Sequence, residues 1–145
     1  MKKVIILLMI FTVPVGVYGG ILQTELRIDA NIPPILEYSV ISDPTLDITD
    51  FEIEAGEAPR ETVLSITSNM PDGFLIVFEN EGNLSATATA GGMQVEIASR
   101  GHAQIAMPFT GSAPTTYHID YVFYLNPDTQ PGAYPWPIAI TITPL

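Results

Sequence analysis

The 145-residue chain contains no cysteine. A domain built from it holds together by packing and ladder hydrogen bonds rather than by disulfides, and thiol catalysis and thiolate metal sites are excluded. Cations are nearly as scarce: Lys2, Lys3, Arg27, Arg60 and Arg100 stand against sixteen Asp and Glu residues, for a formal net charge of −11. So acidic a surface repels phosphate backbones and anionic lipid, which argues against nucleic-acid binding. Nowhere does a window of helical length carry a sustained apolar stripe. With 13 prolines and 11 glycines, the chain is interrupted too often for long helices.

The one long apolar run lies at the amino end. Lys2 and Lys3 precede Val4 to Val17, and Gly19 and Gly20 follow, which is the order of charge, hydrophobic stretch and small residues in a secretory signal. The run is too short for a spanning helix. Residues 1–19 are therefore expected to be a signal cleaved near Val17-Tyr18-Gly19, leaving about 125 residues, enough for one domain with its own core and no stable membrane insertion. A retained amino-terminal anchor is the alternative. Loss of Lys2 and Lys3 would take the net charge from −11 to −13, since each contributes +1.

What remains alternates with a period of two. Leu22, Leu26, Ile28, Ala30 and Ile32 share one parity, opposite Gln23, Glu25, Arg27 and Asp29, so 21–32 reads as a half-buried strand ended by Pro33-Pro34. Ile35 to Ile41 and Leu46 to Ile53 are the next two predicted strands, separated by Ser42-Asp43-Pro44. Arg60 to Thr67 and Phe74 to Phe78 flank Ser68-Asn69-Met70-Pro71-Asp72-Gly73 and read as a hairpin. Asn83 to Gly92, rich in Ala, Thr, Ser and Gly, reads as a weak strand or a mobile loop. Met93 to Ile97 and Gln104 to Phe109 are short strands, and Tyr117 to Leu125 is a long one. In the last strand Tyr134, Trp136, Ile138, Ile140 and Ile142 form one apolar row, with Ala139, Thr141 and Thr143 opposite. Pro135 and Pro137 share a parity, so regular pairing is expected only from Ile138 onward. Segments at this spacing predict an all-β fold, an immunoglobulin-like antiparallel β-sandwich, with a barrel as the lesser alternative.

Little in the chain points to catalysis, and no enzyme, cofactor or metal is expected. His118 and Asp120 share a strand face without a nucleophile setting, and a hydrogen-bonded surface pair is the simpler account. His102, placed in a loop after Gly101, makes no zinc pattern with His118. Asp43, Asp47, Asp50, Glu52, Glu54 and Glu57 could offer oxygens to calcium, with Asp50, Glu52 and Glu54 on one strand face, but the spacing fits no EF-hand loop and a solvated face is favoured. Tyr121, Phe123 and Trp136 are read as core residues rather than as a carbohydrate platform.

Four stretches resemble subunits of chaperone/usher fimbriae, closest to the cysteine-free alternative class and the related spore-coat-U-like archaic pilins. Leu26-Arg27-Ile28-Asp29-Ala30-Asn31-Ile32-Pro33-Pro34-Ile35 is similar to the amino-terminal donor segment that runs into the first strand of those pilins. Val63 to Asn69 with Gly73 to Val77 resembles their central hairpin, in which a Ser-Asn or Thr-Asn pair precedes a turn, Tyr117 to Leu125 the penultimate strand, and Pro131-Gly132-Ala133-Tyr134 through Ile142 the terminal one. Pro144 stands where pilins commonly carry an aromatic residue, and Pro135 and Pro137 depart from the pattern. The resemblance implies a structural subunit exported through the periplasm to a cell-surface fimbrium or the medium. Residues 20–33 would be a donor segment and 34–145 a pilin-type sandwich that polymerises by donor-strand complementation. It further implies pocket-filling by Leu22, Leu26, Ile28, Ala30 and Ile32, and an acceptor groove lined by Tyr134, Trp136, Ile138, Ile140 and Ile142. Partners would be further copies or other pilus subunits, a periplasmic chaperone and an outer-membrane usher, in the service of cell adhesion. The residue pattern alone favours a self-complete secreted sandwich, a binding or coat protein, with 21–32 filling its own edge, and it is the family resemblance that turns the balance to the subunit.

Overall fold

A computed structural model describes residues 30–42 and 44–145. The predicted signal of residues 1–19, the predicted donor positions Leu22, Leu26 and Ile28, and Asp43 lie outside the described residues. Ile32–Leu145 form one compact unit.

Ten strands and one short helix follow in order: β1 Leu36–Ser42, β2 Leu46–Ile48, α1 Asp50–Ala55, β3 Glu57–Ser68, β4 Phe74–Asn80, β5 Ala86–Ala90, β6 Met93–Ile97, β7 His102–Met107, β8 Thr115–Tyr124, β9 Gly132–Tyr134 and β10 Ile138–Pro144. The protein is all-β, and every strand pair is antiparallel. Five strands form one sheet in the order β1-β3-β8-β5-β6, three form another in the order β10-β4-β7, and β2 pairs with β9.

Alternation decides what each strand buries. Leu64 and Ile66 on β3, Ile119, Tyr121 and Phe123 on β8, and Phe74, Ile76 and Phe78 on β4 all face one core. The two larger sheets meet there through edge-on aromatic contacts, Phe74 against Tyr117 at 5.8 Å between ring centroids and Phe78 against Tyr121 at 6.1 Å. Such pairs add about 0.5–1.5 kcal/mol each beyond area burial. Within 83–92 the weak-strand alternative holds, since Ala86–Ala90 is β5. Ala86, Ala88 and Ala90 form its inward row, directly opposite Phe123, Tyr121 and Ile119 of β8. Small side chains next to the bulkiest ones in the core keep the layer at native density, which is why low hydrophobicity here does not mean a surface segment.

Three expectations are corrected. Leu46 to Ile53 is not one strand: β2 ends at Ile48, and Thr49 caps α1 by accepting from the Glu52 backbone N–H while the Glu52 carboxylate accepts from the Thr49 N–H at 2.9 Å. That reciprocal box is a helix start signal that outweighs period-two alternation over so few residues. The strands flanking Ser68–Gly73 are not a hairpin, since β3 and β4 belong to different sheets. The turn residues are those a hairpin uses, but here they carry the chain from one layer to the other. Finally, residues 132–143 do not form one strand. Tyr134 ends β9 opposite Leu46, whereas pairing with β4 begins at Ile138, opposite Asn80, as the proline parity requires.

Arg60 locks α1 to the sheets. Its guanidinium donates to Glu52 Oε1 at 2.6 Å, to the Thr45 carbonyl at 3.1 Å and to the Asp47 carbonyl. The Arg60 hydrogen bond holds the Glu52 carboxyl down from 4.5 to about 2, partial burial opposing and the Thr49 N–H assisting. Because the folded value is the lower one, this contribution is present above pH 4.5 and lost as pH falls through about 2. Acid titration followed by circular dichroism should therefore show wild type losing stability across that window, with Glu52→Gln flatter there and less stable at pH 7 by about 1–2 kcal/mol.

Candidate functional site

The two outer strands β1 and β10 lie side by side, one from each large sheet, and the Tyr38 hydroxyl donates to the Ile140 carbonyl at 3.3 Å. Their inner faces are incompletely covered. Tyr38 and Val40 stand opposite Ile66 and Leu64 in the β1–β3 ladder, and directly opposed residues of an antiparallel pair point to the same face. Leu64 and Ile66 are 0 % and 2 % exposed, yet Tyr38 and Val40 are 43 % and 44 % exposed. Apolar side chains on the core side of a sheet are thus open to solvent along one margin. The opposite margin differs, because the short Ala98–Gly101 connection joins β6 to β7 there and packs one against the other.

Backbone groups are open along the same margin. The Glu81 N–H donates to the Pro137 carbonyl and the Leu145 N–H to the Gly73 carbonyl, so the odd residues of β10 exchange hydrogen bonds with β4. Bonding alternates along an antiparallel strand; Ile138, Ile140 and Ile142 therefore aim their N–H and C=O groups away from β4. On β1 the Asn69 N–H donates to the Ile35 carbonyl, which by the same rule turns the groups of Leu36, Tyr38 and Val40 away from β3. Among the described residues, β1 pairs only with β3 and β10 only with β4. Two rows of ladder groups face each other across the gap between β1 and β10, which the Tyr38 side chain bridges, and the β10 row ends at Pro144, which has no N–H.

The predicted acceptor row divides. Ile138 and Ile142 are buried core residues, and Ile140 is half-buried at the margin. Trp136 does not continue the row: it packs edge-on against Tyr121 at 5.2 Å and Phe123 at 5.5 Å, and its Nε1–H donates to the Ile138 carbonyl at 2.8 Å. Tyr134 is exposed on β9, its hydroxyl donating to the Gln130 carbonyl. Of the donor positions, Ala30 and Ile32 are exposed and belong to no strand, Ile32 being 70 % exposed.

Sequence reasoning missed Asn69. Its Oδ1 accepts from the Ile35 N–H at 2.6 Å and its Nδ2 donates to the Pro33 carbonyl at 2.8 Å. Together with its own N–H on the Ile35 carbonyl, this side chain holds residues 33–35 in line with β1. The Ser-Asn pair before the turn was legible, but its reach of more than thirty residues back was not.

The other candidates lead elsewhere. His118 Nδ1 meets Glu61 Oε1 at 2.5 Å across β3 and β8, rather than Asp120. His102 opens β7 instead of lying in a loop. Asp50, Glu52 and Glu54 sit in α1, not on a strand face, and Glu52 is engaged by Arg60. No cluster of three or more His, Asp or Glu able to hold a metal occurs among the described residues. Tyr121 and Phe123 are fully buried. No family model matches the chain, and neither a curated protein nor a solved structure is significantly similar to it.

Proposed function

We propose that this protein is an exported structural subunit of a surface fimbrium, an immunoglobulin-like sandwich that lacks one strand and receives it from the amino-terminal segment of another copy. One observation carries the reading: the β1–β10 margin combines unladdered backbone with solvent-open side chains on the core face of β1. An extended segment added at this margin, with β1 and β10 moving apart to admit it, would satisfy both by strand addition. Residues 21–32 have the required alternation, and each large aliphatic fully buried there contributes about 1.5–3 kcal/mol before ordering costs. The Asn69 bonds support donation in trans, because residues 33–35 continue the line of β1 instead of reversing toward the margin. Until filled, such an edge invites aggregation, and a periplasmic chaperone and an outer-membrane usher would shield and deliver it.

The direct test adds a synthetic peptide of residues 20–34 to a version of the protein lacking that segment. Saturable binding with a rise in melting temperature is expected. A truncated protein that is folded, monomeric and indifferent to the peptide would instead favour the self-complete secreted domain.

A further inference from the structure

A second concave feature lies at the pole where β10 begins. It is an open cleft of about 820 Å³ whose lining includes Leu84, Asp128, Tyr134, Pro135, Trp136 and Pro137. The Tyr134 hydroxyl and the Trp136 Nε1–H already have carbonyl partners, so both rings offer the cleft mainly apolar surface. No Lys, Arg or His lines it. We propose that the cleft receives Ile32-Pro33-Pro34-Ile35 of the neighbouring copy, the link between that copy's donor segment and its first strand. This rests on the subunit reading above.

The assignment follows from chain direction. In one copy, Ile35 and Pro33 are bonded to Asn69, at the pole where β3 passes into β4 and where Leu145 meets Gly73. The cleft is at the other pole, beside Ile138, so no copy can place its own 32–35 there. β1 and β10 each offer three successive outward-facing residues and run in opposite directions, so a strand between them is antiparallel to one and parallel to the other; the pole at Asn69 is already taken by an acceptor's own residues 33–35. A strand antiparallel to β1 would crowd the donor's link and the acceptor's own leading segment onto that pole, whereas one antiparallel to β10 keeps its prolines clear of it. A strand so oriented finishes at the Ile138 pole. Setting Ile32 against Ile138 places Ala30 opposite Ile140 and Ile28 opposite Ile142, with every apolar parity matched, and brings Pro33 and Pro34 alongside Pro137 and Trp136. A strand of the opposite sense would deliver the prolines to the far pole.

The chemistry agrees with that placement. Pro33 and Pro34 have no N–H to leave unpaired in an apolar cleft, and paired prolines hold the extended conformation that aromatic-lined grooves accept at little entropic cost. The stretch from Ala30 to Leu36 carries no charge, so the carboxylates of Glu81 and Asp128 on the cleft lining do not repel it.

Because the chain has no cysteine and a single tryptophan, both readouts are clean. The full chain carrying Pro34→Cys and Gln130→Cys, assembled at high concentration and treated with a short bis-maleimide, is expected to give a ladder of covalent oligomers. Either single variant should stop at dimers. In unmodified protein, assembly should shift Trp136 emission to the blue and reduce its quenching by acrylamide severalfold. Assemblies seen by gel filtration that give neither ladder nor emission change would overturn the cleft assignment and leave the subunit reading standing. Unmodified chain that stays monomeric would remove both.

Discussion

An equimolar mixture of Ile28→Asp and Ile140→Asp variants is expected to stop at a heterodimer, whereas wild type under the same conditions grows into long polymers. Ile140→Asp places a carboxylate in the gap. In the free subunit that position is half-buried at the margin, so the charge keeps water and the monomer stays folded. Insertion of a strand would remove the water. An unpaired carboxylate taken out of water costs several kcal/mol, and about 3 kcal/mol already corresponds to more than a hundredfold in association. The variant still carries an intact leading segment and can donate. Ile28→Asp reverses the defect: it can accept but not donate. One productive junction is therefore available in the mixture, and analytical ultracentrifugation should find a single species of twice the subunit mass. Polymers from either variant alone would sink the proposal, as would normal assembly of wild type whose melting temperature is unchanged on assembly.

The second large effect is on folding. Gly73→Ala should destabilise the protein by about 3 kcal/mol or more, a large part of a typical total of about 5–15 kcal/mol. Gly73 has a φ of +91°, and a Cβ there would lie 2.2 Å from the Met107 carbonyl oxygen. That atom is backbone at the end of the β4–β7 ladder, where Phe74 pairs with Met107, so relief requires unpairing buried strands. The Gly73 carbonyl also accepts from the Leu145 N–H, so the damage reaches the end of β10. Gly92→Ala is the control. Its φ of +79° is similarly left-handed, but nothing lies within 4 Å of the added carbon, and only the conformational cost of about 1–2 kcal/mol applies. Urea denaturation of the two variants separates the clash from the strain; equal losses would show that crowding at Met107 does not matter.

Strand content was legible where alternation ran long. Thr115–Tyr124 carries its apolar row at Tyr117, Ile119, Tyr121 and Phe123, and the structure buries all four. The proline parity likewise marked Ile138 as the start of regular pairing. Where the reading failed or stayed open, a longer-range term had intervened. The alanines of β5 left strand and loop both open, and Tyr121 and Phe123 across the ladder decide for the strand. Thr49 and Glu52 turn a short stretch helical that alternation alone would extend. Trp136 shares a parity with Ile138, but the break at Pro135–Pro137 takes it out of the row and onto Tyr121 and Phe123.

The amino-acid sequence by itself determined the all-β class, the absence of covalent staples and the inward row of each long strand, because a period of two is a local property of an extended backbone. Which strands became neighbours, and that Tyr38 and Val40 would remain open beside Ile140, was decided only by tertiary structure. Exposure at a sheet margin depends on how far the opposing layer reaches, and no local pattern encodes the extent of a distant layer.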